Sequence, residues 1–128
     1  MTDRLDSQLV EPFGWLLAVD AYGCKVDRLT TAKHIVAFVT YLCDDVLRMR
    51  RFGEPILSWF GASSPKTEGY SVVQLIETSS VVGHFSGYRQ SAHIDIFSCA
   101  PYDPEAVKAA CSAWFAADAL EAHYVVRR

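Results

Sequence analysis

The chain has 128 residues, 51% of them apolar, and this length fits one compact domain, residues 1–128, with a real hydrophobic core. Its formal net charge of -3 argues against nucleic-acid binding, which depends on clustered Lys and Arg. No stretch approaches the ~20 apolar residues that span a bilayer, and the N terminus has no apolar signal segment, so we expect a cytoplasmic protein without a membrane partner.

The first half of the chain predicts a strand, a helix and a second strand. Residues 14–22 are apolar and strand-like. From Thr30 as far as Met49, apolar side chains recur at steps of three and four residues, which predicts a helix that Thr30 or Thr31 can cap. Residues 54–61 then predict a short strand.

The next segment predicts two strands joined by a glycine-containing connection. The β-branched residues in 70–78 favour a central strand. A hairpin-like passage through Gly83 and Gly87 then leads to a strictly alternating strand over 92–99. Apolar side chains take one face of that strand, and the other face carries His93, Asp95, Phe97 and Cys99.

The end of the chain predicts a helix and a closing strand. Asp103 and Pro104 form an N-cap and N1 pair before the helix, and residues 122–127 predict the strand. Strands grouped around two helices, without regular βαβ alternation, predict an α+β two-layer sandwich: a mainly antiparallel sheet with two helices on one face. The other face then needs a cover, and a second copy of the chain is the simplest one.

Cysteine and histidine spacing predicts neither a disulfide framework nor a metal centre. The four cysteines lack CxxC spacing, and Cys43 and Cys111 fall within helical patterns, where we expect buried thiols. A metal site needs three or four convergent ligands, and His84, His93 and Cys99 come without a carboxylate pair. We therefore expect no metal.

The most specific chemical pattern lies in residues 76–99. His84 follows Ser79 by five residues, and Cys99 follows that histidine by fifteen, at the end of "IDIFSC". These offsets resemble the bacterial and archaeal S-adenosylmethionine decarboxylase proenzymes, small pyruvoyl-dependent enzymes in which the serine of a Glu-Ser-His cleavage site precedes the histidine of "HTWPE" and then "DVFTCG".

Three further segments support the resemblance. "AVDAYGC" (18–24) is similar to the family's "LYGC" segment, and Gly69 with Ser71 matches its Gly-x-Ser/Thr. "DPEAV" follows the cysteine, as it does in the family. The resemblance therefore covers nearly the whole chain.

The resemblance implies that the protein makes its own cofactor. Self-cleavage between Thr78 and Ser79 would leave a pyruvoyl group derived from Ser79, which forms a Schiff base with the substrate amine and acts as an electron sink. By matched position, His84 would assist proton removal during processing, and Ser71 would supply a second processing hydroxyl. Cys99 would protonate the decarboxylated carbon.

The implied substrate is a small-molecule amine, S-adenosylmethionine, decarboxylated for spermidine biosynthesis in polyamine metabolism. Trp59, Phe60 and Tyr88 are the candidate substrate-binding residues, since an aromatic side chain stacks on adenine in the family. Ser71 lies eight residues before Ser79, roughly 26 Å along a straight strand at ~3.3 Å per residue. A strand bend or a partner chain must close that gap, which favours a homodimer with shared sites.

The chain departs from the family pattern at the cleavage site and beside the histidine. Thr78 and Ser80 stand where the family has Glu and His, and residues 86–88 replace its Trp-Pro-Glu. Two alternatives follow from these departures. One is the same chemistry on a basic amino acid such as ornithine or arginine, and the other is an unprocessed, catalytically inactive paralogue with a binding or regulatory role.

Overall fold

A computed structural model describes residues 11–128. They form an α+β sandwich in which a six-stranded sheet packs against one layer of helices, as the sequence predicts. The sheet order is β2, β3, β4, β5, β1, β6, and every neighbouring pair is antiparallel. In chain order the strands are β1 (Gly14–Tyr22), β2 (Ile56–Phe60), β3 (Gly69–Ile76), β4 (Ser79–Ser86), β5 (Ser91–Ser98) and β6 (Ala119–Arg127).

The helical layer combines a one-turn helix with two longer ones. These helices are α1 (Val26–Leu29), α2 (Ala32–Tyr41) and α3 (Pro104–Phe115), and a π-helical segment, Leu42–Leu47, continues α2. Among residues 11–128, no helix is long and apolar enough to cross a bilayer.

The helix predicted from Thr30 to Met49 is shorter in the structure and changes its winding. The chain leaves it at Arg48, which takes a left-handed conformation with φ of 54°. Thr31 occupies the N-cap position, but its hydroxyl donates to the carbonyl of Asp27 in α1 rather than capping α2. Met49 lies beyond the helix and is still buried, so its apolar spacing reflects core packing.

The hydrophobic core lies between the helices and one face of the sheet. Phe115 of α3 sits at its centre, with its ring centroid 4.8 Å from that of Phe38 in α2 and 5.3 Å from that of Phe85 in β4. Leu17 and Val19 of β1 are fully buried below them. Burial of these aromatic and branched side chains fixes the helices on this side of the sheet.

The start of α3 agrees with the prediction. The Asp103 carboxylate accepts a hydrogen bond of 3.0 Å from the backbone N–H of Glu105, and Pro104 begins the helix. An oxygen at the N-cap satisfies one of the backbone donors that the first turn leaves without a partner. The cap therefore marks the end of the short segment, residues 99–103, that connects β5 to α3 and contains Cys99.

The connection predicted through Gly83 and Gly87 was wrong at Gly83, because residues 79–86 form strand β4, and right at Gly87, which lies in the turn that leads to β5. Gly83 lies within this strand, where a Cβ would come within 2.9 Å of Phe85 Cζ. The glycine thus makes room for an aromatic ring of the core and does not form a turn. The chain reverses after β4, in residues 87–90.

We call the sheet face opposite the helices the open face. Alternation in β5 follows the prediction, since Ile94 and Ile96 are buried against the helices while Asp95 is exposed. His84 of β4 and Phe60 of β2 also lie on the open face, and both are exposed. Polar and aromatic side chains therefore share a surface that could meet substrate or a second copy of the chain.

Candidate active site

The predicted cut lies in the turn of the β3–β4 hairpin. Ser79 is the first residue of β4 and pairs with Ile76 of β3 and Ser98 of β5. The backbone N–H of Cys99 donates a hydrogen bond of 3.0 Å to the carbonyl oxygen of Thr78. The carbonyl that precedes Ser79 is therefore held by a fixed donor from the end of β5.

The side chain of Thr78 is held by a buried hydrogen-bond network. The hydroxyl of Ser98 donates to Thr78 Oγ1 over 2.9 Å, and Thr78 Oγ1 donates to Met49 Sδ over 3.1 Å. Ser98 has no exposed surface, and its oxygen accepts the backbone N–H of Ala100 at 3.0 Å. Ser98 is not among the residues predicted from the sequence, although a serine on the apolar face of an alternating strand is a signal that could have found it.

Ser71 and His84 form a second group on the open face. The hairpin register places them opposite each other, and Ser71 Oγ lies 2.8 Å from His84 Nδ1, a hydrogen-bond distance. The β3–β4 hairpin therefore places His84, and not Ser79, opposite Ser71. His84 lies five residues beyond Ser79 in β4, which is about 16 Å along the strand.

A cavity of about 630 Å³ opens beside the Ser71–His84 pair on the open face. Phe60 is part of its lining, together with His93 and Arg89. This volume is within the range of small-molecule sites. The pair therefore borders a space that could hold a small substrate.

The other two candidate substrate-binding residues lie elsewhere. The Trp59 ring packs edge to face on Tyr70, with 4.9 Å between centroids, and its Nε1 donates to Glu68 over 3.2 Å. Tyr88 lies in the turn after β4 and is 71% exposed. Of the three aromatic candidates, Phe60 is the one that the structure places against the cavity.

A row of polar residues crosses the open face from one sheet edge to the other. His93 is the cross-strand neighbour of His84, and its Nδ1 lies 2.6 Å from Asp20 Oδ1 of β1. Ser91 Oγ lies 3.0 Å from His93 Nε2. The alternation of the strand predicted His93 on this face, but no sequence pattern indicated Asp20, because β1 and β5 pair across a long sequence separation. In register order the row is Ser58, Ser71, His84, His93, Asp20 and Glu121.

The four cysteines fall into two environments. Cys99 is exposed next to the turn that holds Ser79, whereas the other three are buried. Burial raises the pKa of both the Cys43 and Cys111 thiols to about 12, and it raises the pKa of Cys24 as well. Cys99 is therefore the thiol that can meet a reagent or substrate.

Comparison with known proteins agrees with the resemblance drawn from the residue offsets. The sequence matches the S-adenosylmethionine decarboxylase family over residues 15–128. The chain belongs to this family. Its fold is similar to that in the crystal structure of the adenosylmethionine decarboxylase from Aquifex aeolicus VF5, with a TM-score of 0.75 and 15% sequence identity over 91% of this chain and 92% of that one. No curated protein sequence matches the chain.

At the predicted cleavage site, the chain departs from the family pattern to which it was compared in the sequence analysis. Thr78 stands where the family has Glu, and its hydroxyl accepts a hydrogen bond from Ser98 and donates one to Met49 Sδ. Ser80 stands where the family has His. It is the first residue of β4 whose side chain lies on the open face, and it pairs with Phe97 of β5. These substitutions change side chains around the turn while the carbonyl of Thr78 keeps its backbone donor.

Proposed function

We propose that this chain is a self-processing, pyruvoyl-dependent decarboxylase that acts on S-adenosylmethionine and completes its site with a second copy of itself. The observation that carries the proposal is the hydrogen bond from the Cys99 backbone N–H to the carbonyl oxygen of Thr78, directly before Ser79. This donor lies at the atom where negative charge would develop during cleavage.

The first step of processing is an acyl shift within the turn. Ser79 Oγ attacks the carbonyl carbon of Thr78, a C–O bond forms, and the peptide C–N bond breaks as the Ser79 nitrogen takes up the hydroxyl proton. The developing oxyanion is on Thr78 O, and the Cys99 N–H already donates to this oxygen over 3.0 Å in the uncleaved chain, so it is positioned to stabilise the charge that develops there. The product is an ester between the two residues.

The second step breaks that ester by elimination. A base removes the Cα proton of residue 79, a Cα=Cβ double bond forms as the Cβ–Oγ bond breaks, and Thr78 leaves as a carboxylate that keeps this oxygen. The dehydroalanine left at residue 79 tautomerises to an imine, and water adds to its Cα and displaces ammonia, which leaves a pyruvoyl carbonyl there. Such a group supplies an electron acceptor for the carbanion formed when carbon dioxide departs.

His84 fits the role of the base, with Ser71 fixing its ring. Imidazoles commonly act as general bases in enzymes, and the bond of 2.8 Å between Ser71 Oγ and His84 Nδ1 leaves Nε2 for the reaction. Cys99, exposed beside the turn, fits the role of proton donor to the product carbon. Phe60 offers a ring face for adenine in the cavity.

These groups meet when two copies pair through the open face. In one chain His84 lies about 16 Å from Ser79 along β4, too far for direct proton transfer. A two-fold axis would place the Ser79 and Cys99 of one copy against the Ser71 and His84 of the other, and the reverse, because an isologous contact repeats each pairing twice. The exposed polar row then becomes the inside of a two-sheet assembly.

The experiment is the intact mass of the denatured protein, before and after hydroxylamine. We expect fragments 1–78 and 79–128, the second with a pyruvoyl terminus, and carbon dioxide release from carboxyl-labelled S-adenosylmethionine. Ser79→Ala should remain one chain, while the matched control Ser80→Ala should still cleave. A parent chain that stays uncleaved and resists hydroxylamine would refute processing and leave a binding or regulatory role.

Substrate choice has its own readout. Cleaved protein that releases carbon dioxide from ornithine or arginine, and not from S-adenosylmethionine, would support the pyruvoyl chemistry and refute the proposed substrate.

Cys99→Ala should cleave and yet decarboxylate far more slowly than the parent, by about the 10²- to 10⁴-fold that a positioned proton donor contributes. Equal rates for the two cleaved proteins would remove Cys99 from the role of proton donor.

A further inference from the structure

Three potential metal ligands from two strands converge on the open face near one edge of the sheet. Asp20 of β1 is directly opposite Glu121 of β6, and His123 follows two residues later on the same side of β6. One ligand atom from each of these side chains lies within 4.8 Å of the others. They come from sequence positions about 100 residues apart, so the pairing of β1 with β6 creates the cluster.

The two carboxylates oppose each other across the strands, an arrangement that is unfavourable without a cation because like charges directly opposite destabilise a sheet. Each carboxylate also has an outer partner. His93 Nδ1 lies 2.6 Å from Asp20 Oδ1, and the Tyr22 hydroxyl donates to Glu121 Oε2 over 3.4 Å. Carboxylates and imidazoles that bind metals usually carry such outer partners, which orient them.

We propose that Asp20, Glu121 and His123 bind a divalent transition-metal ion. One imidazole and two carboxylates form a nitrogen and oxygen donor set that suits Zn²⁺, Co²⁺ or Mn²⁺ better than the all-oxygen sites of Ca²⁺ or Mg²⁺. Ligands at about 2.1 Å from one tetrahedral ion are about 3.4 Å apart, so the cluster must close by at most about 1.4 Å. Glu121 and His123 are exposed on the edge strand, where rotation of their side chains can supply this shift.

This ion would not act in the proposed reaction. Asp20 is two strands away from His84 in the sheet, about 10 Å at the ~4.8 Å spacing of neighbouring strands. The ion would instead join the edge strand β6 to β1 and reduce repulsion on a face that we propose to be an interface. The metal site therefore stands whether or not the chain cleaves itself.

The test is a titration of the untagged, chelator-dialysed full chain with Co²⁺, followed by visible absorption, and a thermal melt with and without Zn²⁺. We expect saturable binding of one ion per chain and a rise of Tm with Zn²⁺ concentration. His123→Ala and Glu121→Gln should each weaken Co²⁺ binding by more than about 10-fold, since even loss of an outer partner costs about 10- to 100-fold. Glu54 is an exposed carboxylate outside the cluster, so Glu54→Gln should leave the Co²⁺ affinity unchanged.

Both variants change exposed side chains, and melts of the metal-free proteins will check that they fold as the parent does. Absence of saturable Co²⁺ binding by the parent would overturn the proposal. Binding that is equal in the parent, His123→Ala and Glu121→Gln would also overturn it, because the ion would then be held elsewhere.

Discussion

The shared site can be tested by mixing two inactive variants. We expect Ser79→Ala and His84→Ala chains to be inactive when expressed alone, because one lacks the residue that is cleaved and the other lacks the base. In a mixed dimer, one site combines the intact Ser79 of one copy with the intact His84 of the other. The second site combines both substitutions and stays inactive.

The expected magnitude follows from the geometry. Ser79 and His84 are about 16 Å apart along β4, so neither chain can complete its own site. Random association of equal amounts gives about half mixed dimers, each with one intact site of two, so co-expression should restore about a quarter of the parental activity. In the mass spectrum only the His84→Ala chain should be cleaved, since the other has no serine at the cut.

Co-expression is required, because processing must occur within the mixed dimer, and carbon dioxide release is measured beside the mass. The matched control pairs Ser79→Ala with Cys99→Ala. Ser79 and Cys99 of each site come from the same copy. Each site of the mixed dimer therefore lacks one of these two residues, and decarboxylation should stay at background. Restored activity in this control, or none in the Ser79→Ala and His84→Ala mixture, would refute the division of the site between two copies.

Three further tests concern the bond that holds Thr78, the exposed thiol and the start of β3. Ser98→Ala should slow cleavage by about fivefold, since it removes the ~1 kcal/mol bond that holds Thr78, and a time course of intact mass should reveal it. A thiol reagent at about pH 8 should modify Cys99 alone in the folded protein, because burial raises the pKa of the other three thiols, and rapid modification of more than one thiol would contradict this. Gly69→Ala should destabilise the chain by more than about 2 kcal/mol in urea unfolding, because φ is +155° and a Cβ would overlap the carbonyl oxygen of Phe85.

Sequence patterns predicted the elements whose periodicity is set by the core. Strand 14–22, the capped start of α3 at Asp103 and the alternation over 92–99 all follow from local residue order and agree with the structure. The passage through Gly83 failed because a glycine that accommodates a neighbouring ring and a glycine that forms a turn look the same in one sequence. Missing β4 also hid the hairpin that pairs Ser71 with His84.

Register explains the rest of what sequence reasoning missed. Residue offsets selected Ser79, His84 and Cys99, but they do not state which residues face each other across strands. His93 meets Asp20 only because β5 pairs with β1 in a particular register. That register is decided by how the apolar sets of both strands align on the buried face, which is a property of the whole sheet.

Replacement of the family's Glu by Thr78 bears on whether cleavage survives. The acyl shift acts on a backbone carbonyl, and the group that bonds this carbonyl is the backbone N–H of Cys99, which a side-chain change at position 78 does not remove. Thr78 also places a neutral hydroxyl beside Ser98, where a carboxylate would have to lose its hydration. The substitution therefore leaves in place the backbone donor that we propose for the oxyanion. Ser98 holds the side chain of Thr78, so the cleavage rate of Ser98→Ala is the measurement most sensitive to this divergence.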